Sequence, residues 1–282
     1  MANTIGVIGA GTMGGGIAQV AALAGYTVIL YDIEQSAIDR GMQTIYNNLS
    51  KGVEKNKLTG HDAEKAKRNI STTLDLMRMK SATTVIEAVI ERLDIKQGLF
   101  QRLDEILSHE SIIATNTSSL SITALGATTK RPDRVIGMHF FNPAHIMKLV
   151  EIIKGKETSH TTISRITSLA KEFGKKPVLA SDTPGFIVNR VARPFYGEAL
   201  RLLGEGVASV EEIDRIVKKS GGFKMGPFEL MDLIGIDVNL SVSRSVYEQY
   251  FHEARYRPHP IQQQMVDGNL LGRKTGKGFY EY

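Results

Sequence analysis

Short apolar runs alternate with longer amphipathic stretches along the first two-thirds of the chain. The apolar runs have the length of buried strands, and the stretches between them repeat apolar residues with a helical period. The predicted strands cover residues 4–8, 27–31, 84–89, 112–114, 135–140, 149–153 and 177–180. The predicted helices cover residues 13–24, 36–55, 61–68, 95–107 and 161–173. Strands that alternate with helices in this way predict a doubly wound, mostly parallel sheet.

The pattern changes at the turn formed by residues 182–185. Beyond it the sequence has helical periodicity without a convincing strand, over residues 186–203, 210–219, 227–235, 238–251 and 260–267. We therefore predict an α/β domain over residues 1–183 and an all-helical domain over residues 184–282. A helical domain of this size is expected to complete its burial against a sister domain or a second subunit.

The first predicted strand is followed directly by a glycine-rich turn with the spacing G-x-G-x-x-G. Its residues are Gly9, Ala10, Gly11, Thr12, Met13 and Gly14. The first glycine allows a tight turn, the second lets backbone N–H groups approach a pyrophosphate, and the third lets the helix pack closely on the strand. The N-terminus of the helix then faces two negative phosphates. These six residues are therefore predicted to bind a dinucleotide in a Rossmann-like domain.

An acidic residue, Asp32, ends the second predicted strand. A carboxylate at this place can accept hydrogen bonds from the adenosine ribose diol, and it would repel a 2′-phosphate. The next residues, Ile33 and Glu34, supply no cation for such a phosphate. NAD is therefore favoured as the cofactor, and NADP, although possible, is disfavoured by Asp32.

Composition limits the classes of function that need to be considered. The 282 residues are 42% hydrophobic and 23% charged, as in a soluble globular protein. The absence of cysteine excludes disulfides, thiolate catalysis and cysteine-ligated metals, and no metal site is predicted. No secretion signal precedes the first strand, and the longest apolar stretch, residues 20–30, is too short to span a bilayer. We expect a cytoplasmic protein without a membrane partner.

The chain carries a formal net charge of +5, and its densest basic stretch covers residues 51–80. That stretch has eight Lys or Arg against four Asp or Glu. Aromatic residues are not interleaved with the basic ones, as a protein that binds single-stranded nucleic acid would need, so no nucleic-acid partner is expected. Two interpretations of the stretch stay open, a solvated helix face and a patch for a phosphorylated substrate.

A nicotinamide enzyme needs a group that exchanges a proton with the substrate oxygen, and histidine is the usual one. Among seven histidines, His139 lies late in a predicted core strand, where ligands of open α/β sheets gather. The turn Asn142-Pro143 separates it from Glu151 in the next predicted strand. If the two strands are neighbours, the carboxylate can orient the imidazole. Otherwise His139 is an ordinary core histidine and Glu151 is an edge-strand residue in solvent.

Two further polar side chains lie where a substrate could be held. Ser118 follows the strand that ends at residue 114, so its hydroxyl would lie near the same edge of the sheet. Its alternative role is a turn or helix cap, which Ser119 or Ser121 could equally provide. Asn189 lies one turn into the first helix after the domain boundary. Its amide would face an interdomain cleft, unless it is an ordinary residue of the helix surface.

Six longer motifs follow the glycine-rich turn along the chain. They are TNTSSL at 115–120, GMHFFNP at 137–143, MKLVE at 147–151, DTPGFIVNR at 182–190, MGPFEL at 225–230 and GRKTGKGFY at 272–280. With these motifs the chain resembles the 3-hydroxyacyl-CoA dehydrogenase family, and most of all its bacterial 3-hydroxybutyryl-CoA dehydrogenases. The resemblance runs from about residue 4 to residue 282.

The resemblance implies a role for each matching residue. His139 would be the catalytic acid/base and Glu151 its partner. Ser118 and Asn189 would hold the 3-oxygen and the thioester region of the substrate. The family positions near the cofactor are Glu91, Lys96, Ser118, Asn142 and Lys274. The coenzyme A phosphates would lie near Lys51 and Lys55, an i,i+4 pair on one helix face.

The reaction implied by the resemblance is NAD-linked oxidoreduction at C3 of a short acyl-CoA, between acetoacetyl-CoA and (S)-3-hydroxybutyryl-CoA. A homodimer through the C-terminal helical domain is implied as well. His145 departs from the family pattern, which has proline or another apolar residue there. One rival interpretation is a β-hydroxyacid dehydrogenase for a small non-CoA acid, which would usually depend on a lysine. Another is a crystallin-like NAD-binding protein, which would have lost the His/Glu pair.

Overall fold

The computed structural model describes residues 4–282, which form two compact units. The first unit ends at Asp182, and the second covers Thr183–Tyr282. The first unit contains a sheet with its connecting helices, and the second unit is built from helices. Within residues 4–282, no helix is both long enough and apolar enough to cross a membrane.

An eight-stranded sheet forms the centre of the first unit. Its strands are β1 (Thr4–Ile8), β2 (Thr27–Tyr31), β3 (Ile70–Thr73), β4 (Thr84–Glu87), β5 (Ile112–Thr115), β6 (Val135–Phe140), β7 (Leu149–Lys154) and β8 (Lys176–Ser181). Their order across the sheet is β3-β2-β1-β4-β5-β6-β7-β8. All neighbouring strands are parallel except β6 and β7, which are antiparallel. The predicted fold class, a Rossmann-like mostly parallel sheet followed by a helical domain, is confirmed.

Six helices connect the strands of the first unit. They are α1 (Thr12–Leu23), α2 (Gln35–Glu54), α3 (Gly60–Arg68), α4 (Leu93–Ile106), α5 (Ile122–Gly126) and α6 (His160–Glu172). α2 buries Ile38, Ile45 and Leu49 in the core around the sheet, because these apolar residues recur on one face of the helix. α1 is buried over most of its length, since its small and apolar residues let it lie close to the sheet.

Apart from two short 3-10 helices, Leu76–Ser81 and Pro132–Arg134, two elements of the first unit were not predicted from the apolar pattern. β3 has the sequence ISTT, whose polar residues conceal it, and it pairs with β2 at the edge of the sheet. α5 is only five residues long, and it begins after Ser121, whose hydroxyl accepts a hydrogen bond from the Ala124 N–H at 3.1 Å. The strand predicted over residues 84–89 ends earlier, at Glu87.

The second unit contains the five remaining helices. They are α7 (Val188–Gly204), α8 (Val210–Lys219), α9 (Pro227–Ile234), α10 (Ile236–Gln249) and α11 (Pro260–Asp267). Tyr196, Leu200 and Phe228 belong to the core that these helices share. α8 begins with a capping box, in which the Ser209 hydroxyl accepts from the Glu212 N–H at 3.3 Å and the Glu212 carboxylate accepts from the Ser209 N–H at 3.1 Å.

Candidate active site

The glycine-rich turn has the backbone shape that a pyrophosphate needs. Gly9 has a φ of +98°, which favours glycine, and a Cβ atom on Gly14 would lie 1.7 Å from the Gly9 carbonyl oxygen. A Cβ atom on Gly11 would have no described atom within 4 Å, so a ligand can approach this backbone closely. In the described part of the chain no side chain caps the N-terminus of α1. The turn therefore fits the phosphates of a dinucleotide.

Asp32 follows the end of β2 and is partly exposed. Its Oδ2 accepts a hydrogen bond from the Ala10 N–H at 2.7 Å, and its Oδ1 accepts one from the Glu34 N–H at 3.2 Å. The carboxylate therefore fixes the glycine-rich turn from the neighbouring strand. Its partial exposure leaves it accessible to the ribose hydroxyls that the sequence motif assigns to it.

His139 and Glu151 face each other across the antiparallel pair formed by β6 and β7. The His139 Nδ1 lies 2.8 Å from the Glu151 Oε2, and the two side chains are 7% and 1% exposed. Glu151 is not in solvent, because β7 is an interior strand with β8 on its other side. The ring of Phe141 lies beside the imidazole, with 4.6 Å between the ring centroids. A buried carboxylate at Nδ1 orients the ring and favours the tautomer with a proton on Nδ1.

The segment after β5 carries Ser118 and is bonded to the neighbouring strand. The Asn116 Oδ1 accepts a hydrogen bond from the Phe140 N–H at 2.8 Å, one residue after His139. The Ser118 N–H donates to the Glu91 Oε1 at 2.9 Å. Because Ser121 caps α5, Ser118 is not needed as the helix cap. The segment with Ser118 is thus attached to the strand end with His139.

A cluster of three charged residues, Glu87, Lys96 and Glu91, holds this segment. The Lys96 Nζ lies 2.8 Å from the Glu87 Oε1 and 2.9 Å from the Glu91 Oε2, and both Lys96 and Glu87 are almost completely buried. Glu87 also accepts a hydrogen bond from the Thr115 hydroxyl at 2.6 Å. Burial raises the pKa of Glu91, but the Lys96 charge and hydrogen bonds from Thr117, Lys96 and a backbone N–H outweigh burial, so this pKa lies below its ordinary value. The cluster therefore presents Glu91 as a carboxylate.

Glu87 was not among the predicted site residues. The signal that could have identified it is a carboxylate inside the apolar run of residues 84–89, which requires a cation nearby. Lys96 was predicted as a cofactor contact, and the structure encloses its ammonium between two carboxylates. The action that this geometry supports for Lys96 is to fix Glu91 and, through Glu91, the segment with Ser118.

Three more predicted site residues of the first unit are exposed. Lys51 lies in the last turn of α2, and Lys55 follows directly after that helix. Their exposure agrees with both interpretations of the basic stretch, a solvated helix face and a phosphate-binding patch. Asn142 is exposed at the start of the segment between β6 and β7, before the cis peptide bond to Pro143.

Two predicted site residues belong to the second unit. Asn189 lies in the first turn of α7, and its backbone carbonyl accepts a hydrogen bond from the Arg193 Nε at 3.1 Å. Lys274 lies near the C-terminus, with its Nζ 2.6 Å from each carboxylate oxygen of Asp237. A cofactor contact by Lys274 would therefore share the ammonium with Asp237.

Two family models match the chain. Residues 4–183 match the 3-hydroxyacyl-CoA dehydrogenase, NAD binding domain, and residues 185–282 match the 3-hydroxyacyl-CoA dehydrogenase, C-terminal domain.

Named relatives resemble the chain over nearly its whole length. The 3-hydroxyadipyl-CoA dehydrogenase of Escherichia coli is 46% identical over 99% of this chain, which spans 59% of that protein's length. The 3-hydroxybutyryl-CoA dehydrogenase of Clostridioides difficile is 45% identical, with 99% of each chain covered. The mitochondrial hydroxyacyl-coenzyme A dehydrogenase of Homo sapiens is 42% identical, with 98% of this chain and 90% of the human protein covered.

Solved structures share the fold. The 3-hydroxybutyryl-CoA dehydrogenase of Escherichia coli superposes with a TM-score of 0.97 at 46% identity, over 100% of this chain and 60% of the other. The (S)-3-hydroxybutyryl-CoA dehydrogenase of Ralstonia eutropha superposes with a TM-score of 0.96 at 43% identity, over 100% and 99% of the two chains. Because both family models and these relatives agree, the chain belongs to the 3-hydroxyacyl-CoA dehydrogenase family, and its cofactor is NAD.

Proposed function

We propose that this chain interconverts acetoacetyl-CoA and (S)-3-hydroxybutyryl-CoA with NAD as the redox partner. The observation that carries the proposal is the buried contact between His139 and Glu151 at the end of β6. It is supported by the full-length similarity to proteins named 3-hydroxybutyryl-CoA dehydrogenase. The Escherichia coli relative named for 3-hydroxyadipyl-CoA makes acyl-chain length the part of the proposal that needs direct measurement.

His139 moves the proton of the reaction. Bound NAD supplies the hydride acceptor for oxidation at C3, and NADH supplies the hydride for the reverse direction. In reduction the protonated imidazole gives its Nε2 proton to the oxygen at C3, and in oxidation the neutral imidazole takes that proton back. Glu151 holds Nδ1 at 2.8 Å, so it fixes the ring orientation and stabilises the positive charge that forms on the ring.

The remaining predicted residues hold the two ligands. Ser118 and Asn189 bind the 3-oxygen and the thioester region of the substrate. NAD is held by Gly9, Ala10, Gly11, Thr12, Met13, Gly14, Asp32, Glu91, Lys96, Ser118, Asn142 and Lys274. Lys96 contributes to NAD binding through Glu91, because the two carboxylates beside it occupy its ammonium. Lys51 and Lys55 contact the coenzyme A phosphates, and the helical unit forms the homodimer contact.

The first experiment measures the reduction of acetoacetyl-CoA by NADH with the variant His139→Gln. We expect kcat to fall about 10²- to 10⁴-fold, since a positioned proton donor supplies that much rate. NADH binding should stay at the wild-type level. The matched control is His160→Gln, because His160 is exposed at the start of α6 and should leave both quantities unchanged. Wild-type turnover by a folded His139→Gln variant would contradict the assignment.

The second experiment distinguishes the substrate classes. Initial rates of reduction are compared across 3-ketoacyl-CoA substrates of four to sixteen carbons, with NADH and with NADPH. A separate assay follows the oxidation of 3-hydroxyadipyl-CoA by NAD. The highest kcat/KM is expected for the four-carbon substrate with NADH. Turnover of a free hydroxy acid, together with no turnover of any CoA substrate, would support the β-hydroxyacid dehydrogenase. NADH binding without turnover of any substrate would support the non-catalytic relative.

A further inference from the structure

The segment between β6 and β7, residues 141–148, is mostly exposed or partly exposed. It begins two residues after His139 and ends three residues before Glu151, and it carries Asn142. Within this segment Ala144 alone is buried, whereas Ile146 is 61% exposed. Apart from the burial of Ala144 in the core, polar contacts must therefore hold the segment in place.

Lys175 supplies the missing contact. Its side chain is buried in the turn between α6 and β8, with 8% of the residue exposed. The Lys175 Nζ donates hydrogen bonds to the Ala144 carbonyl at 2.5 Å and to the Met147 carbonyl at 2.8 Å. The next residue, Lys176, donates its backbone N–H to the Lys148 carbonyl at 2.7 Å. One ammonium thus joins two carbonyl groups that lie three residues apart in the segment.

The charges around Lys175 indicate that the ammonium is kept for its hydrogen bonds. The charged group that acts on its pKa is Lys148, whose positive charge opposes it. Burial, followed by the Lys148 charge, lowers the pKa of Lys175 to about 8. Burial and the Lys175 charge in turn lower the pKa of His145. A buried cation beside another cation is unfavourable, so a merely structural position would be better filled by an apolar residue.

The segment held by Lys175 lies directly on the helix that follows the glycine-rich turn. A Cβ atom on Gly16 of α1 would be 3.0 Å from the Ala144 Cβ and 3.7 Å from the Ala144 nitrogen. A shift of Ala144 would therefore create a clash with α1 or open a gap beside it. The N-terminus of α1 is where the cofactor phosphates are expected. The same shift would move Asn142 and the start of the segment after His139.

We propose that Lys175 is a positioning residue for the reaction, and that its ammonium holds residues 141–148 against α1 in the shape that NAD binding and hydride transfer require. The proposal rests on the function proposed above. It requires no contact between Lys175 and either ligand, because Lys175 acts through the Ala144 and Met147 carbonyl groups.

The test compares Lys175→Met with the neighbouring control Lys176→Met, because Lys176 is exposed and its contact to the segment is made by the backbone. Lys175→Met should raise the Kd for NADH and lower kcat/KM, each by about tenfold to a hundredfold, since a displacement of about 1 Å is enough for such a loss. Its Tm at pH 7 should stay close to that of the control, because the removal of an unfavourable buried charge offsets the loss of the two hydrogen bonds.

Two outcomes would overturn the proposal. One is that the NADH affinity and kcat/KM of Lys175→Met lie within about twofold of the control, a difference in binding free energy below about 0.5 kcal/mol. The other is a loss of activity that follows a loss of Tm, which is the result of a merely structural role. If Lys175→Met does not fold, Lys175→Leu, whose side chain also carries no donor, is judged by the same criteria. NADH titration needs no turnover, so it decides on Lys175 even if acetoacetyl-CoA is not the substrate.

Discussion

Lys96→Met would remove the cation from the cluster formed by Glu87, Lys96 and Glu91. Methionine has a similar length, so the main consequence is a Glu87 carboxylate that stays buried without a counter-charge. Glu91 is less affected, because its side chain is 37% exposed and can be hydrated. The expected loss of stability therefore comes mainly from Glu87.

The size of this loss follows from the burial of the pair. Removal of one partner of a buried ion pair costs about 3–5 kcal/mol, which lowers the Tm of a unit of this size by about 6–20 °C. Adding Glu87→Gln to Lys96→Met removes the stranded charge, and the amide can still accept the hydrogen bond from the Thr115 hydroxyl. The double variant should therefore recover most of the stability that the single variant loses.

Thermal unfolding of the full chain at pH 7, followed by far-UV circular dichroism, measures both variants. The matched control is Arg92→Met. Arg92 directly precedes α4 and pairs with Asp94 in its first turn, and the two side chains are 63% and 64% exposed. Loss of such an exposed pair should cost at most about 1 kcal/mol. The reasoning is refuted if Lys96→Met melts as close to wild type as this control does, or if the double variant is less stable than Lys96→Met alone.

Three further predictions concern single residues of the first unit. Gly14→Ala should weaken NADH binding at least about tenfold in a fluorescence titration, because the added Cβ would displace the Gly9 carbonyl; wild-type affinity would contradict this. Asp182→Ala should lower the free energy of unfolding by about 1–3 kcal/mol in urea, since its carboxylate accepts four hydrogen bonds from residues 121–123, and an unchanged midpoint would count against it. The pKa of Lys175 is lowered from 10.5 to about 8, so the unfolded chain binds more protons between these values. Wild type should therefore gain about 3 kcal/mol relative to Lys175→Met as the pH rises across this range, and parallel pH curves would disprove the assignment.

The interior of the sheet could be predicted from the sequence because its strands are buried on both faces. β6 is buried at all six positions, and only His139 interrupts its run of apolar residues and glycine. β3 could not be found in the same way. It is an edge strand with the sequence ISTT, of which only Ile70 is buried, so it has no apolar run. The predicted family, the oxidoreductase class and NAD as cofactor are confirmed by the family models and the relatives.

The candidate site was only partly accessible from the sequence. A contact between His139 and Glu151 could be predicted only on the condition that their two strands are neighbours, and the register that places the two residues opposite each other is given by the structure. Lys175 was missed because its partners are fixed by tertiary packing, whereas Glu87 had a sequence signal, its position inside the apolar run of residues 84–89. Lys175 lies 31 residues from Ala144, and no periodicity in the sequence relates the two. The assigned roles of the site residues stay predictions until the variants are measured.

The register between β6 and β7 limits which insertions and deletions the two strands can tolerate in this family. Side chains alternate between the two faces of a sheet, so a slip of one residue would bring Val150 or Ile152 opposite His139. Glu151 would then point to the other face of the sheet. A homologue could keep both residues of the pair and still lose their contact through one insertion or deletion within either strand.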